Sequence, residues 1–550
     1  MNEVRTHGVA GLKKYDMKIS SIVFMIYCLV AAGAFGIEEM IPASGPGITI
    51  IMLMIFPIIW AFPISNLVAE CGSVLPSEGG VYVWVKEAFG EFWGFQAGWW
   101  GTVSTYITNG VYVALVAGYV SQFIPMTATS SFALKMGMIL IFTVINLLGI
   151  REVGKVSSVL SVLILLAFGL VAIVGIINWN QNPMIPIVPE DMGILESIGG
   201  GIGICIWMYC GYECISNMAG EVKDPQVIPK GLLLAMPLIA ATYILPTIGG
   251  LASIGQWESW STEGGFGDTV GYASVLTDNL GQAWGYMFLV IAIVSQCAIF
   301  NTYLASGSRG FFVLADDRLF PPFMVKVSKG RGVPHVGILS LAVVTMFLAQ
   351  FDFRSLVLAE VVFMLALYII LPLAVVKLRK KYPIEERKKQ GLYVMGGGKL
   401  GLLFFAGAPL LISMFALLIN GTDYFLIGLV GISTGPVFYY IFKRLYGGLA
   451  KVDPENHPLN PKTKLGVGDI MRFGWYGLFT GVFAFVGHFF LMWYEGEWGA
   501  EYYIEEWETG FLSNFSGMID ALKIGGIVLI VISLVVLYIG RKKDPAPSSW

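Results

Sequence analysis

The chain has 550 residues, of which 56% are hydrophobic and 13% charged, with a formal net charge of −3 and a mean hydropathy of +0.73. Soluble domains carry about 25% charged residues, so this composition excludes an ordinary soluble protein. Repeated apolar runs of about 20 residues instead predict an all-α polytopic membrane protein. The sequence contains no metal-ligand cluster, catalytic triad or phosphate-binding loop, so we expect neither an enzyme nor a cofactor, and its scattered basic residues give no groove for nucleic acid.

The apolar runs predict fourteen membrane spans. In chain order they cover residues 19–42, 47–71, 90–124, 132–149, 157–178, 197–220, 231–255, 282–313, 336–351, 354–378, 401–420, 424–443, 475–494 and 522–540. The chain accordingly divides into a cytoplasmic N-terminus, a ten-span core, a pair of spans, a cytoplasmic linker, an additional pair with an acidic outer loop, and a cytoplasmic tail. These segments are 1–18, 19–378, 401–443, 444–474, 475–540 and 541–550.

The loop charges alternate between the two sides of the membrane. Lys and Arg gather at both termini and after spans four, six, eight, ten and twelve, whereas the loops 255–281 and 495–520 contain acidic residues and neither Lys nor Arg. The positive-inside rule therefore places both termini in the cytoplasm, and we expect a location in the cell membrane. No signal-peptide cleavage pattern follows the first apolar run, so span one is expected to remain in the mature protein.

The first span is interrupted near its middle. Gly33 and Gly36 each weaken a helix by roughly 1 kcal/mol relative to alanine. Glu38 and Glu39 follow at membrane depth, where a charge costs about 2.5–3.5 kcal/mol and is usually functional. A break with carboxylates indicates a binding site built from broken helices, while close helix packing by the glycines is the alternative explanation.

A second interruption lies in span six, where polarity peaks from Tyr209 to Glu213. Spans one and six are five spans apart and run in opposite directions. This is the pattern of an inverted repeat, with spans one to five and six to ten as its halves and the binding site between them.

Several motifs agree in order with those of one family. They are Gly36-Ile37-Glu38-Glu39, Ala43-Ser44-Gly45-Pro46, Ala219-Gly220-Glu221-Val222-Lys223-Asp224-Pro225-Gln226 and Ala315-Asp316-Asp317-Arg318-Leu319-Phe320-Pro321. With them the sequence resembles the amino acid–polyamine–organocation superfamily. Tyr212-Glu213 and the opening of span three, 92–99, are most similar to its polyamine–proton symporter branch, known best from plants. The likeness covers spans one to ten, thins in the next two and does not reach 444–550.

The resemblance implies a leucine-transporter-like fold with a five-plus-five inverted repeat, in which spans one, two, six and seven rock against three, four, eight and nine. In amino-acid carriers of this superfamily, N–H groups at the first break hold the substrate carboxylate. Here Glu38 and Glu39 would repel an anion, which favours an amine substrate, and Glu213 would supply an opposing acid. Plant relatives have an aspartate where this chain has Thr108, so a shorter diamine or a cationic amino acid suits the site better.

The substrate-binding residues follow from these arguments. We predict Gly33, Ala34, Phe35, Gly36, Glu38, Glu39, Tyr106, Asn109, Tyr209, Cys210, Tyr212 and Glu213, with Thr108 and Tyr112 as further lining groups. Aromatic faces attract cationic amines by about 0.5–2 kcal/mol. Only one of Glu38 and Glu39 is expected to face the cavity, because consecutive helical residues point about 100° apart.

Coupling to a proton or to sodium is a further expectation. Glu38, Glu39 and Glu213 are candidate proton carriers, because a desolvated carboxyl group can bind a proton. Asn301 and Thr302 in span eight are candidates for a cation site. Many relatives carry a lysine in span five that mimics sodium, and the corresponding region, 157–166, has none.

The sequence predicts a secondary transporter for polyamines or cationic amino acids that works by alternating access, with proton coupling. One alternative is a carrier of neutral or aromatic amino acids with the same fold and structural glutamates. A non-transporting sensor or a channel is an alternative of another class. The choice between symport and exchange, and the oligomeric state, stay open.

Overall fold

The computed structural model describes residues 18–30, 34–77, 79–148, 153–221, 224, 226–262, 269–328 and 333–543. In this part of the chain the regular secondary structure is helical, apart from two isolated β-bridges. Among the described residues, twelve helices are long and apolar enough to cross a membrane. Two shorter apolar helices, Ile19–Val30 and His335–Leu348, lie where spans one and nine were predicted, so the all-α polytopic fold is confirmed.

The helices keep the predicted span order. Spans one to seven are Ile19–Val30 with Ile37–Ser44, Pro46–Phe56 continued by a π-helical turn Pro57–Ala61 into Phe62–Val74, Glu91–Ser121, Ala128–Leu148, Val153–Ile177, Ile194–Met208 with the 3-10 helix Tyr212–Glu221, and Val227–Ser253. Spans eight to fourteen are Gln282–Gly307, His335–Leu348, Phe353–Lys381, Gly398–Ile419, Thr422–Tyr446, Asp469–Tyr494 and Phe515–Lys543. Shorter helices lie in the loops at Gly80–Phe89, Trp257–Ser259, Tyr272–Leu280, Gly310–Asp316, Pro322–Val325, Ile384–Lys389, Gly448–Lys451 and Gly499–Trp507.

Both predicted breaks are present. In span one the residues 34–36, between the helices Ile19–Val30 and Ile37–Ser44, lie outside α-helix, and Gly36 has φ +136°, a value that side chains rarely adopt. A Cβ atom at Gly36 would also lie 2.7 Å from Cζ of Phe353 in span ten. In span six the α-helix ends at Met208, and Gly211 with φ +99° leads into the 3-10 helix.

Span ten forms the centre of the molecule, since it packs against spans three, six, eleven and twelve. Span seven packs against spans one and five, and span eight against span three. Spans one and six therefore bring their breaks together beside spans three, eight and ten. Buried apolar and aromatic side chains fill the space between the helices.

The two C-terminal spans, thirteen and fourteen, pack closely along each other. A Cβ atom at Gly481 would lie 3.0 Å from the carbonyl oxygen of Gly526, so only glycine allows this approach. The pair also contacts the transport core, because the Tyr494 hydroxyl donates to the Leu195 carbonyl at 3.3 Å, at the start of span six.

Candidate functional site

A small cavity of about 30 Å³ lies where the two breaks meet. It is enclosed by spans one, three, six, eight and ten, and a volume of this size holds only a few water molecules. Its lining includes two acids, three aromatic side chains and a hydroxyl: Glu213, Glu360, Tyr112, Trp207, Tyr303 and Thr108.

Two carboxyl groups face this cavity, Glu213 from the broken span six and Glu360 from span ten. Glu213 is 9% exposed, and its Oε2 accepts a hydrogen bond from the Tyr368 hydroxyl at 2.7 Å. Glu360 is 4% exposed, and its Oε1 lies 3.4 Å from the donating Ser104 hydroxyl. Its other oxygen, Oε2, has no hydrogen-bond partner in the described part of the chain.

Aromatic rings form the wall beside these carboxyl groups. The ring centroid of Tyr112 lies 5.1 Å from that of Tyr303 and 6.3 Å from that of Trp207. Trp207 in turn packs edge-on against Phe353 at 5.4 Å. Among the described residues that line the cavity there is no Lys, Arg or His, so the site combines two acids with aromatic faces and offers no cationic side chain to an anion.

The acidic pair of the first break lies outside this cavity. Glu38 is 1% exposed; its Oε2 accepts from the Gly36 N–H at 3.1 Å and its Oε1 from the Tyr119 hydroxyl at 3.2 Å. Glu39 points the other way, toward the loop that follows span seven. Its Oε1 accepts from the Ser261 hydroxyl at 2.8 Å and from the backbone N–H and hydroxyl of Thr262 at 2.6 and 2.7 Å.

The other predicted residues of span one and span three are divided between the cavity and its surroundings. Gly33 lies outside the described residues. Ala34 and Phe35 are fully buried, and Phe35 packs against the rings of Tyr119, Phe168 and Phe288. Tyr106 bonds to Ser340 of span nine, and Asn109 donates to the Thr105 carbonyl within its own helix.

In span six, Cys210 lines the cavity together with Glu213. Tyr209 donates to the Leu53 carbonyl of span two at 3.0 Å. Tyr212 is fully buried, and its hydroxyl has no partner among the described residues. The structure thus brings Thr108, Tyr112, Cys210 and Glu213 together and leaves the two tyrosines beside the site.

The predicted cation ligands of span eight bond to span four and within span eight instead. Asn301 accepts from Asn146 through its side-chain oxygen at 2.7 Å, and the Thr302 hydroxyl donates to the Ala298 carbonyl at 2.9 Å. Neither residue lines the cavity.

The sequence analysis missed Glu360, and with it Trp207 and Tyr303 of the aromatic wall. Glu360 is an isolated acid within the apolar run of span ten, and an intramembrane carboxyl group is by itself a signal of function. Span ten has no helix break, so a search restricted to the broken spans passes over it.

Comparisons with known proteins agree with this architecture. The family model for amino acid permeases matches residues 18–450. A probable polyamine transporter of Arabidopsis thaliana is 31% identical over 378 residues, which are 66% of this chain and 72% of the relative. The polyamine transporter PUT1 of Oryza sativa subsp. japonica is 30% identical over 350 residues, 62% of each chain.

More distant proteins share the fold. The branched-chain amino acid permease BcaP of Lactococcus lactis is 24% identical over 375 residues, 62% of this chain and 77% of the relative. The crystal structure of MhsT in complex with L-phenylalanine matches with a TM-score of 0.54 and 14% identity, covering 74% of this chain and 100% of that chain. The chain is therefore a transporter, not an enzyme, and it belongs to the amino acid permease family of the amino acid–polyamine–organocation superfamily.

Proposed function

We propose that this transporter carries polyamines or cationic amino acids across the cell membrane by alternating access, with a proton as the coupling ion and both termini in the cytoplasm. The observation that carries the proposal is the pair of buried acids, Glu213 and Glu360, in one cavity at the helix breaks. A buried carboxylate is costly unless it is paired, and no basic side chain among the described lining residues pairs with either. A cationic amine supplies the missing charge.

The aromatic wall supports the same class of substrate. Tyr112, Trp207 and Tyr303 surround the acids, and a desolvated ammonium gains about 2 kcal/mol or more from an aromatic face. The rings also exclude water, which strengthens the attraction between the ammonium and the carboxylates.

The first break argues against recognition of a free carboxylate there. The Gly36 N–H, which would meet an anion, donates to the chain's own Glu38 carboxylate. Glu38 also accepts a hydrogen bond from the Tyr119 hydroxyl, so two donors keep its carboxylate at the first break. A substrate whose binding depends on its amine, and not on a carboxylate, fits such a site.

The cavity is too small for a diamine, so binding requires the spans to separate. Both breaks supply the hinges for such a movement, because the residues around Gly36 and Gly211 lie outside regular α-helix. This is the arrangement expected of a carrier that opens to one side at a time.

Thermal stabilisation of the purified protein by candidate substrates tests the proposal. The panel is putrescine, spermidine, agmatine, arginine, lysine and a set of neutral amino acids, each at increasing concentration. A ligand at 100 times its dissociation constant stabilises by about 2.7 kcal/mol. We expect stabilisation by the cationic amines, its loss in Glu213→Gln, and its retention in the control Glu501→Gln, whose side chain is exposed on the outer helix.

Two results contradict the proposal. Stabilisation by neutral amino acids alone would make the chain a carrier of those substrates, with the glutamates in other roles. Ion conductance without saturable uptake in proteoliposomes would identify a channel.

A further inference from the structure

We propose that Glu360 binds the coupling proton while Glu213 holds the substrate ammonium, an assignment that rests on the proposed function. Both acids face the same cavity, but they belong to different kinds of helix. Glu213 follows the break in span six, and Glu360 lies within the continuous helix Phe353–Lys381.

Hydrogen bonding distinguishes the two carboxyl groups. Glu213 receives a short bond from the Tyr368 hydroxyl at 2.7 Å, and such a donor stabilises the charged form of a carboxylate. Glu360 is held more loosely: the Ser104 hydroxyl lies 3.4 Å from its Oε1, Thr108 and Trp207 lie nearby, and its buried Oε2 has no partner in the described structure. Of the two acids, Glu360 therefore loses less hydrogen bonding when it becomes a neutral carboxylic acid.

The charge balance of the cavity leads to the same assignment. Two ionised acids in one small, water-poor cavity repel each other, so at least one needs a counter-charge or a proton. A primary ammonium on Glu213 neutralises that residue only. A proton that enters from water and bonds to Oε2 of Glu360 neutralises the second acid, and no other bond is formed or broken.

The other titratable groups around Glu360 do not take this role. Span three contributes Tyr112, span six Cys210 and Cys214, and span eight Tyr303. Tyr and Cys side chains are ordinarily protonated at neutral pH, so they have no vacant position for a further proton.

Glu38 and Glu39 lie outside the cavity, and each already accepts two or more hydrogen bonds. This leaves Glu360 as the acid that faces the substrate and has an oxygen free to bind a proton. We therefore assign proton coupling to Glu360 of span ten and not to the glutamates of span one.

The test uses the full chain in proteoliposomes with putrescine as the probe, an imposed pH gradient and an internal pH dye. The wild-type protein is expected to accumulate putrescine when the outside is acidic and to acidify the lumen as it does so. Glu360→Gln should still bind putrescine and exchange it across the membrane. Its gradient-driven accumulation of putrescine should fall at least tenfold, and proton entry should disappear. Glu213→Gln should lose binding itself.

Three outcomes overturn the assignment. They are loss of putrescine binding in Glu360→Gln to the level of Glu213→Gln, gradient-driven accumulation in Glu360→Gln equal to wild type, and wild-type uptake without proton entry. The first would make Glu360 a second amine anchor. Failure of the wild type to bind any amine contradicts the proposed function instead, and the coupling test is then repeated with whichever amino acid binds.

A second variant tests the same assignment if Glu360→Gln does not fold. Ser104→Ala removes a hydroxyl that donates to Glu360 and does not alter the number of acidic groups in the cavity. If Glu360 carries the proton, the pH at which putrescine uptake is half-maximal moves upward in this variant. An unchanged pH profile overturns the assignment.

Discussion

The Tyr368 hydroxyl is the hydrogen-bond donor to Glu213 at the cavity between the two breaks. It lies eight residues beyond Glu360 on span ten, and its 2.7 Å bond to Oε2 of Glu213 joins span ten to the broken span six. Hydrogen bonds to a charged group contribute about 1.5–3 kcal/mol. A single oxygen atom therefore connects the continuous helix of the site to the one that is interrupted.

Removal of that oxygen should weaken amine binding. In Tyr368→Phe, Glu213 loses its donor, its charged form becomes less favourable, and protons compete better with the ammonium. We expect putrescine affinity to fall about tenfold, which corresponds to about 1.4 kcal/mol. Titration by thermal shift measures it, with Tyr106→Phe as the control, since that hydroxyl bonds to Ser340 outside the cavity. Equal affinities in the two variants would contradict this role for Tyr368.

At the scale of the element, the break in span one depends on a single residue, Gly36. Gly36 combines a φ of +136° with a Cβ position only 2.7 Å from the Phe353 ring, so any side chain is both strained and overcrowded. Backbone strain of this kind costs about 1–3 kcal/mol. The local sequence was sufficient to predict this break, because glycines and charges inside an apolar run are a short-range signal.

Gly36→Ala should therefore destabilise the protein or displace span ten. We expect a lower melting temperature and, because Phe353 packs on the cavity residue Trp207, weaker putrescine binding. The matched control is Gly137→Ala in span four, where no atom lies within 4 Å of the new methyl group and alanine favours the helix. A melting temperature for Gly36→Ala at or above that of Gly137→Ala would show that the break tolerates a side chain.

The C-terminal end of span thirteen carries a buried hydrogen-bond network around Glu495. This carboxylate is fully buried and accepts from the backbone N–H and hydroxyl of Thr422 and from the Tyr503 hydroxyl. Burial raises the pKa of Glu495 from 4.5 to about 7, and the nearby Asp423 adds to the rise, while the hydrogen bonds oppose it. The folded protein thus binds this proton more tightly than the unfolded chain does.

The stability of this end of span thirteen should therefore fall as the pH rises. Because the folded state holds the extra proton, the stabilising effect is complete below pH 4.5 and is lost as the pH rises through about 7, a change of roughly 3 kcal/mol. Hydrogen exchange in the helix Gly499–Trp507, corrected for intrinsic rates, should show less protection at pH 8 than at pH 5. Glu495→Gln should remove this difference and Glu501→Gln should keep it; a pH-dependent protection that survives in Glu495→Gln would contradict the assignment.

At the scale of the whole molecule, local patterns in the sequence could predict the spans and their breaks, but not the contacts between distant segments. The two broken spans and Glu213 were recognisable from local pattern. Glu39 was not assignable, because its partner Thr262 lies 223 residues away in a loop without a motif. Glu360 was visible as an acid in an apolar run, but its position opposite Glu213 depends on how spans six and ten pack.

Two polar networks lie at opposite ends of span two. Near its start, Glu39 accepts hydrogen bonds from the loop residues Ser261 and Thr262. Near its end, Glu70 of span two forms ion pairs with Arg379 at 2.7 Å and Arg387 at 2.8 Å, and Glu70 is 1% exposed. The second network ties span two to the end of span ten, as the first ties span one to the loop after span seven.

We expect each network to stabilise a closed side, so its loss should shift the population of conformations in one direction only. In a variant that keeps Cys214 of the cavity as its single cysteine, Glu39→Gln should speed labelling by a membrane-impermeant maleimide added at the side of loop 255–281. Glu70→Gln should speed labelling from the side of Arg387, where it leaves the arginines unpaired. Loss of hydrogen bonds worth about 1.5–3 kcal/mol each predicts rate increases of tenfold or more. The two variants are each other's control: equal acceleration from both sides would indicate general loosening of the fold, and only opposite sidedness agrees with two closures around one site.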